Sequence, residues 1–215
     1  MRYKGLIFDF DYTLGDSTEG IVICVNHALE QLGHALAERE AVRKTIGLHL
    51  EETYRVLTGD NTEERAAEFS RLFVAKADEI MTGCTRLFPG TQELLEKWKH
   101  QGYKIGIVTT KYHYRIDDIL KKYQAENLAD LIVGGDDVKR PKPDPEGVLQ
   151  VLGQWHMDKN QVLYVGDSLV DARTAQSAEV DFAGVTTGTT EKEELENYPN
   201  FGVFAGLGEL DDSLS

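Results

Sequence analysis

Asp9 and Asp11 stand two residues apart, directly after the apolar run Gly5-Leu6-Ile7-Phe8. Residues i and i+2 of a strand point to one face, so this spacing holds two carboxylates side by side. Like charges that close repel, and packing alone gives no reason to accept the cost. A third carboxylate, Asp167, follows the run Val162-Leu163-Tyr164-Val165-Gly166. The hydroxyl of Thr109 follows Ile105-Gly106-Ile107-Val108, and Lys142 sits in the polar stretch Arg140-Pro141-Lys142-Pro143-Asp144-Pro145. A hard divalent cation with oxygen ligands offsets such a cluster, and magnesium prefers a few carboxylates with water and phosphate oxygens. Carboxylates, one Lys and a hydroxyl at neighbouring strand ends therefore point to phosphoryl transfer, whose catalysis is mostly positioning and charge neutralisation.

The elements that must position these groups are legible as apolar runs ending at polar residues. To the three above is added Leu131-Ile132-Val133-Gly134-Gly135 before Asp136. Runs of this length, separated by segments of helical period, predict buried parallel strands of an α/β fold. Ligands of open parallel sheets sit outside the carboxyl ends of the strands, which is where the polar residues fall. A last run, Val180 to Gly188, supplies a candidate fifth strand. Helices are expected over 91–100, 113–123, 145–153 and 171–178. Between the first and second strands lie about ninety residues with no strand pattern. Ile21, Val25, Ala28, Leu29 and Leu32 follow helical spacing up to Gly33, a C-terminal cap. Shorter helices are expected over 38–45 and 49–57. Asn61 with Glu64 suggests a capping box opening a long helix through Ala67, Leu72, Ala75 and Ile80 to near Gly83.

Composition narrows the partners. The 215 residues carry a net charge of -14, which excludes nucleic acid and anionic membrane, both of which need a basic footprint. The acid-rich stretch from Thr187 to Ser215 reads as a solvated surface without a role. Cys24 and Cys84 form no CxxC pair and fit reduced thiols in a cytoplasmic protein. The start, MRYKGLIFDFD, is too short and too acidic for a signal peptide, and no segment approaches the ~18 apolar residues of a membrane span.

The ordered set of motifs resembles the haloacid dehalogenase-like (HAD) superfamily. The stretch FDFDYTLGDS at 8–17 is similar to its first motif, Thr109 in IGIVTTK to its second, Lys142 in RPKPDPEG to its third, and GDSLVD at 166–171 to its fourth. The resemblance covers essentially the whole chain. It implies a Rossmann-like parallel sheet core, residues 1–14 and 87–215, with an inserted all-helical cap domain, residues 15–86. It also implies that Asp9 attacks phosphorus to form an aspartyl phosphate, while Asp11 protonates the leaving oxygen and later deprotonates water. Magnesium would be held by Asp9, the Asp11 backbone carbonyl and Asp167. Thr109, with Thr110, and Lys142 would bind phosphoryl oxygens, and Asp171 would orient Lys142 or metal-bound water. Lys139 and Arg140 compete for the third motif, and Lys142 is preferred because Lys142-Pro143-Asp144-Pro145 matches the family's K-P-x-P form.

Asp11 sets the chain apart from the dehalogenases, which lack an acid two residues after the nucleophile. The implied substrate is a small phosphorylated metabolite, read by the cap through Arg43, Lys44 and Gly47, with His49 nearby. Phosphoglycolate phosphatases offer the most similar pattern, except that Tyr12 stands where many of them have Gly. A β-phosphoglucomutase-like phosphotransferase is an alternative, and a non-catalytic binding protein retaining the fold is another. The expected assembly is a monomer or homodimer. Trp98, Tyr112 and Tyr114 read as packing residues, and His113 has no triad partner.

Overall fold

Four short apolar runs become neighbouring strands because each is covered on both faces. The computed structural model describes residues 2–214. The chain opens with β1 (Gly5–Phe8) and β2 (Gly15–Asp16), then helices α1 (Thr18–Gln31), α2 (Arg39–Arg43), α3 (Leu50–Thr58) and α4 (Glu63–Cys84). There follow β3 (Arg86–Leu87), α5 (Thr91–His100), β4 (Lys104–Val108), α6 (His113–Lys122), β5 (Leu131–Val133) and α7 (Glu146–Trp155). The chain continues through β6 (Val162–Gly166), α8 (Leu169–Ala178), β7 (Asp181–Val185), α9 (Lys192–Glu196), β8 (Gly202–Phe204) and α10 (Leu207–Leu214). Six strands form one parallel sheet in the order β5-β4-β1-β6-β7-β8, and β2 and β3 pair separately. Two compact units result: Met1–Asp16 with Leu87–Ser215, and Ser17–Arg86.

In the sheet unit the period of two is written into the cores. Leu6 and Phe8 enter one apolar cluster with Ile105, Ile107, Leu163 and Val165, while Ile7 enters the other with Val162, Tyr164 and Trp155. Phe8 stacks on Trp98, ring centroids 5.5 Å apart. β1 is central, its Phe8 in register with Ile107 on one side and Val165 on the other. Three strand tips therefore open side by side at the carboxyl edge.

The helical unit has its own core of Cys24, Val25, Leu29, Tyr54, Phe69, Phe73 and Met81 among others. Gly33 ends α1 at a φ of 74°, with the His34 amide donating to the Leu29 carbonyl, a left-handed close that glycine takes without steric cost. The expected Asn61–Glu64 capping box does not form. The cap of α4 is Thr62, whose side chain makes no capping bond, and Asp60 instead accepts the Thr62 amide at 2.9 Å. An Asx-type bond two residues ahead has taken the place of the reciprocal pair.

The acidic end differs most from the sequence expectation. β8 adds a sixth strand, and α10 returns across the unit with Leu207 and Leu210 in the core. Asp211 is 8% exposed and accepts from Trp98 Nε1 at 2.9 Å and from Lys97 Nζ at 2.5 Å. Among the described residues no helix is long and apolar enough to cross a membrane.

Candidate active site

At the tip of β1 the chain leaves the sheet through a turn that fixes each acid separately. The Asp9 amide donates to the Val165 carbonyl at 2.9 Å, extending the β1–β6 pairing one residue past the strand. The Phe10 carbonyl then accepts from the amides of Thr13, Leu14 and Gly15. This tight closure puts Tyr12 at a φ of 61°, a left-handed conformation costly for an aromatic residue. Its amide donates to the Gly15 carbonyl, and its carbonyl accepts from Thr187 Oγ1. The Gly common at this position in phosphatases would adopt that φ freely; here hydrogen bonds on both sides hold a tyrosine in it. Thr13 donates its hydroxyl to Asp167 Oδ1 at 3.1 Å, tying the turn to the tip of β6.

Lys142 brings the carboxylates into one network. Its ammonium lies 2.9 Å from Asp9 Oδ1 and 2.7 Å from Asp171 Oδ1, and the three side chains are essentially buried. Asp171 is held from below: its Oδ2 accepts from the hydroxyl and amide of Ser168, whose hydroxyl accepts the Asp171 amide. This reciprocal box opens α8 and orients the carboxylate that holds Lys142. The Tyr164 hydroxyl accepts from Lys142 Nζ at 3.3 Å, with Asp171 Oδ1 and the Val108 carbonyl within reach as acceptors. Arg140, the competitor for this place, is 73% exposed and pairs with Asp144 and Glu146.

Oxygens of Asp9, Asp167 and Asp171 lie within 4.8 Å of one another. Burial pushes the Asp9 carboxyl up from 3.8 to about 6, Lys142 pulling against it and Asp171 adding to it. Burial, then Asp171 and Asp9, drive Asp167 well above the carboxylate range. Lys142 is held well above the ordinary lysine value, because Asp171 and Asp9 outweigh the burial that would discharge it. One ammonium does not balance three buried carboxylates, and the surplus negative charge on hard oxygen donors fits a divalent cation. Gly188 leaves room for this arrangement: a Cβ there would stand 1.9 Å from Asp167 Oδ2.

Thr109 is buried at the tip of β4, its amide donating to Val133 and its hydroxyl accepting the Lys111 amide at 3.3 Å. Thr110 is half-buried in the same loop. The residue that sequence reading missed is Lys111. Its side chain is 5% exposed, and its ammonium lies 3.1 Å from Asp11 Oδ2. Its spacing from Thr109 puts it in the same tip, but no local pattern announces a partner on another strand. The cap candidates lie in the helical unit: Arg43 pairs with Glu40 at 2.9 Å, Lys44 closes α2, and Gly47 has a φ of 97°. His113, read as lacking a triad partner, meets Asp137 at 2.7 Å by Nδ1.

Known proteins share this architecture. The family model of haloacid dehalogenase-like hydrolases matches residues 6–185. A Bacillus velezensis protein named pyrophosphatase PpaX is 33% identical over 184 residues, covering 86% of this chain and 83% of its own. A Cereibacter sphaeroides phosphoglycolate phosphatase is 31% identical over 214 residues, 98% of this chain and 97% of its own. A crystal structure described as a haloacid dehalogenase-like hydrolase from Bacteroides fragilis superposes with a TM-score of 0.94 at 41% identity, covering 97% of this chain and 99% of that one. With helices inserted between β1 and β4 and buried aspartates at the sheet's carboxyl edge, the chain belongs to the haloacid dehalogenase-like hydrolases, among their phosphatases.

Proposed function

We propose that the protein is a magnesium-dependent phosphomonoesterase that hydrolyses a small phosphorylated metabolite, phosphoglycolate being the first candidate, through an aspartyl phosphate on Asp9. The observation that carries this reading is the Lys142 ammonium shared between Asp9 and Asp171, beside Asp167. A carboxylate nucleophile needs its charge held and offset while it approaches a phosphate dianion, and this network does both. Asp9, Asp167 and the Asp11 carbonyl would hold the metal. The bound cation supplies charge neutralisation for the nucleophile and the phosphoryl oxygens.

Asp9 attacks phosphorus and the bond to the leaving oxygen breaks, Asp11 giving that oxygen its proton. Water then attacks the aspartyl phosphate, Asp11 takes a proton from it, and Asp9 leaves as carboxylate. Thr109 and Thr110 donate to phosphoryl oxygens, and Lys142 offsets charge in both halves. Residues 15–86 serve as the cap, with Arg43, Lys44 and Gly47 reading the anionic end of the substrate. Phosphoglycolate is favoured by relatives of that name that align over nearly the whole chain. The free thiols of Cys24 and Cys84 suit a reducing compartment such as the cytoplasm.

Release of phosphate from p-nitrophenyl phosphate should require Mg2+ and vanish in Asp9→Asn. A metabolite panel including phosphoglycolate, pyrophosphate and hexose phosphates then names the substrate. Persistent turnover by Asp9→Asn, or no turnover of any phosphate ester by folded protein, overturns the reading.

A further inference from the structure

The loop that follows β7 meets the β1 turn and the tip of β6 at two neighbouring residues. Thr187 donates its hydroxyl to the Tyr12 carbonyl, and Gly188 gives Asp167 its room, since a Cβ there would crowd Asp167 Oδ2. The loop is itself anchored on β8, the Thr186 amide donating to the Phe204 carbonyl at 2.9 Å. The Tyr12 carbonyl belongs to the peptide plane that joins Tyr12 to Thr13, and the Thr13 hydroxyl donates to Asp167 Oδ1 at 3.1 Å. The plane before it joins Asp11 to Tyr12. Its amide donates to the Gly15 carbonyl at 2.7 Å, and in a planar trans peptide that bond also sets the direction of the Asp11 carbonyl. Between the two planes stands Tyr12 at a φ of 61°, a conformation that a residue with a Cβ keeps only where its surroundings over-determine it. Gly15 grips one plane and Thr187 the other.

We propose that Thr187 is a positioning residue for the metal. By holding the plane between Tyr12 and Thr13 it fixes two of the oxygens that would bind the cation: the Asp11 carbonyl on one side and, through Thr13, the Asp167 carboxylate on the other. The inference rests on the metal site proposed above and adds the tip of β7 to it. The hydroxyl carries no charge, so its effect runs through geometry alone. Without it the Tyr12 carbonyl is free to swing, the turn gives up its left-handed residue, and the two oxygens leave the positions from which they converge. Magnesium demands near-ideal octahedral geometry and tolerates such a displacement poorly. Glycine holds this φ unaided, so the need for Thr187 follows from the tyrosine at position 12. The acid-rich end of the chain thereby acquires a part in the site, because β8 supports the loop that carries Thr187.

The test is calorimetric titration of Mg2+ into wild type, Thr187→Val, Thr187→Ser, and Tyr12→Gly with and without Thr187→Val, beside turnover of p-nitrophenyl phosphate. Valine keeps the branched shape without the hydroxyl. In Thr187→Val the Mg2+ Kd and the half-activating Mg2+ concentration should therefore rise together by about 10-fold, the lower end of what losing a partner behind the ligands costs. At saturating Mg2+ its kcat and KM should stay near those of wild type. Thr187→Ser, which keeps the donor, should bind Mg2+ as wild type does. Tyr12→Gly added to Thr187→Val should restore most of the affinity, which a merely structural role for Thr187 would not produce. Thr187→Ala serves as the second variant without a hydroxyl if Thr187→Val does not fold. An unchanged Mg2+ Kd in Thr187→Val overturns the proposal whatever its melting temperature, and so does a raised Kd that Tyr12→Gly leaves unrelieved. Mg2+ bound by Asp167→Asn as tightly as by wild type would instead overturn the underlying metal assignment and leave the two failures distinct.

Discussion

Asp9→Asn should stabilise the metal-free protein while it abolishes turnover. Burial, with Asp171 adding to it and Lys142 opposing, raises the Asp9 carboxyl from 3.8 to about 6. Below the unfolded value the group is protonated in both states, and it costs folding nothing. Between the unfolded value and about 6 the unfolded chain ionises while the folded site resists the charge, so stability falls across that window and the loss is complete above it. At ~1.4 kcal/mol per pH unit the gap corresponds to about 3 kcal/mol at pH 7.5. The attraction of Lys142 is already inside that balance. Asparagine keeps the shape and cannot ionise, so it escapes the cost. For a chain of this size ~2–4 °C per kcal/mol applies, so in chelator at pH 7.5 the variant should melt about 6–12 °C above wild type. At pH 4 the two should melt within about 2 °C of each other. Mg2+ should narrow the gap at pH 7.5, because a ligand at 100 times its Kd stabilises wild type by ~2.7 kcal/mol. An Asp9→Asn protein that melts no higher than wild type in chelator at pH 7.5, or a difference that persists at pH 4, would refute the reasoning.

Gly188→Ala puts a methyl 1.9 Å from the present position of Asp167 Oδ2 and must displace that carboxylate. The Mg2+ concentration for half-maximal activity should rise about 10-fold with little change in melting, which a metal titration of both proteins checks. Asp211→Ala strips Trp98 Nε1 and Lys97 of their shared acceptor and leaves the indole donor buried. Urea unfolding should show a loss of about 2–3 kcal/mol; a loss under about 0.5 kcal/mol would mean that water replaces the carboxylate.

The strands and the helical insertion were legible because their signals are local: apolar runs for buried parallel strands, and helical spacing ended by a glycine. The aspartates were legible because they sit at strand ends and a helix start, where spacing fixes direction, and Lys142, in the turn before α7, because of its K-P-x-P form. Lys111 was not, since its meaning is a contact between the tips of β1 and β4 and its own segment reads as an ordinary polar loop. The acidic end was misread for a related reason. Counting its charge hides that Leu207, Leu210 and Asp211 are buried, and that one of its acids completes an indole inside the core. Tyr12 needed the dihedral angle: that it stands at a left-handed position, where glycine would be unstrained, is visible only once the turn is built.

The central place of β1 also sets the order in which the molecule is completed during synthesis. This strand leaves the ribosome first, yet its two neighbours begin at Lys104 and Val162. At ~5–20 residues per second, roughly 8 to 30 s pass before the second of them exists. Ser17–Arg86 has its own core and finishes within that interval. For all of that time Gly-Leu-Ile-Phe is an apolar strand with at least one bare edge, attached to a finished helical body. The segment that carries Asp9 is made well before its second neighbour, so it is where a chaperone would be expected to hold this protein.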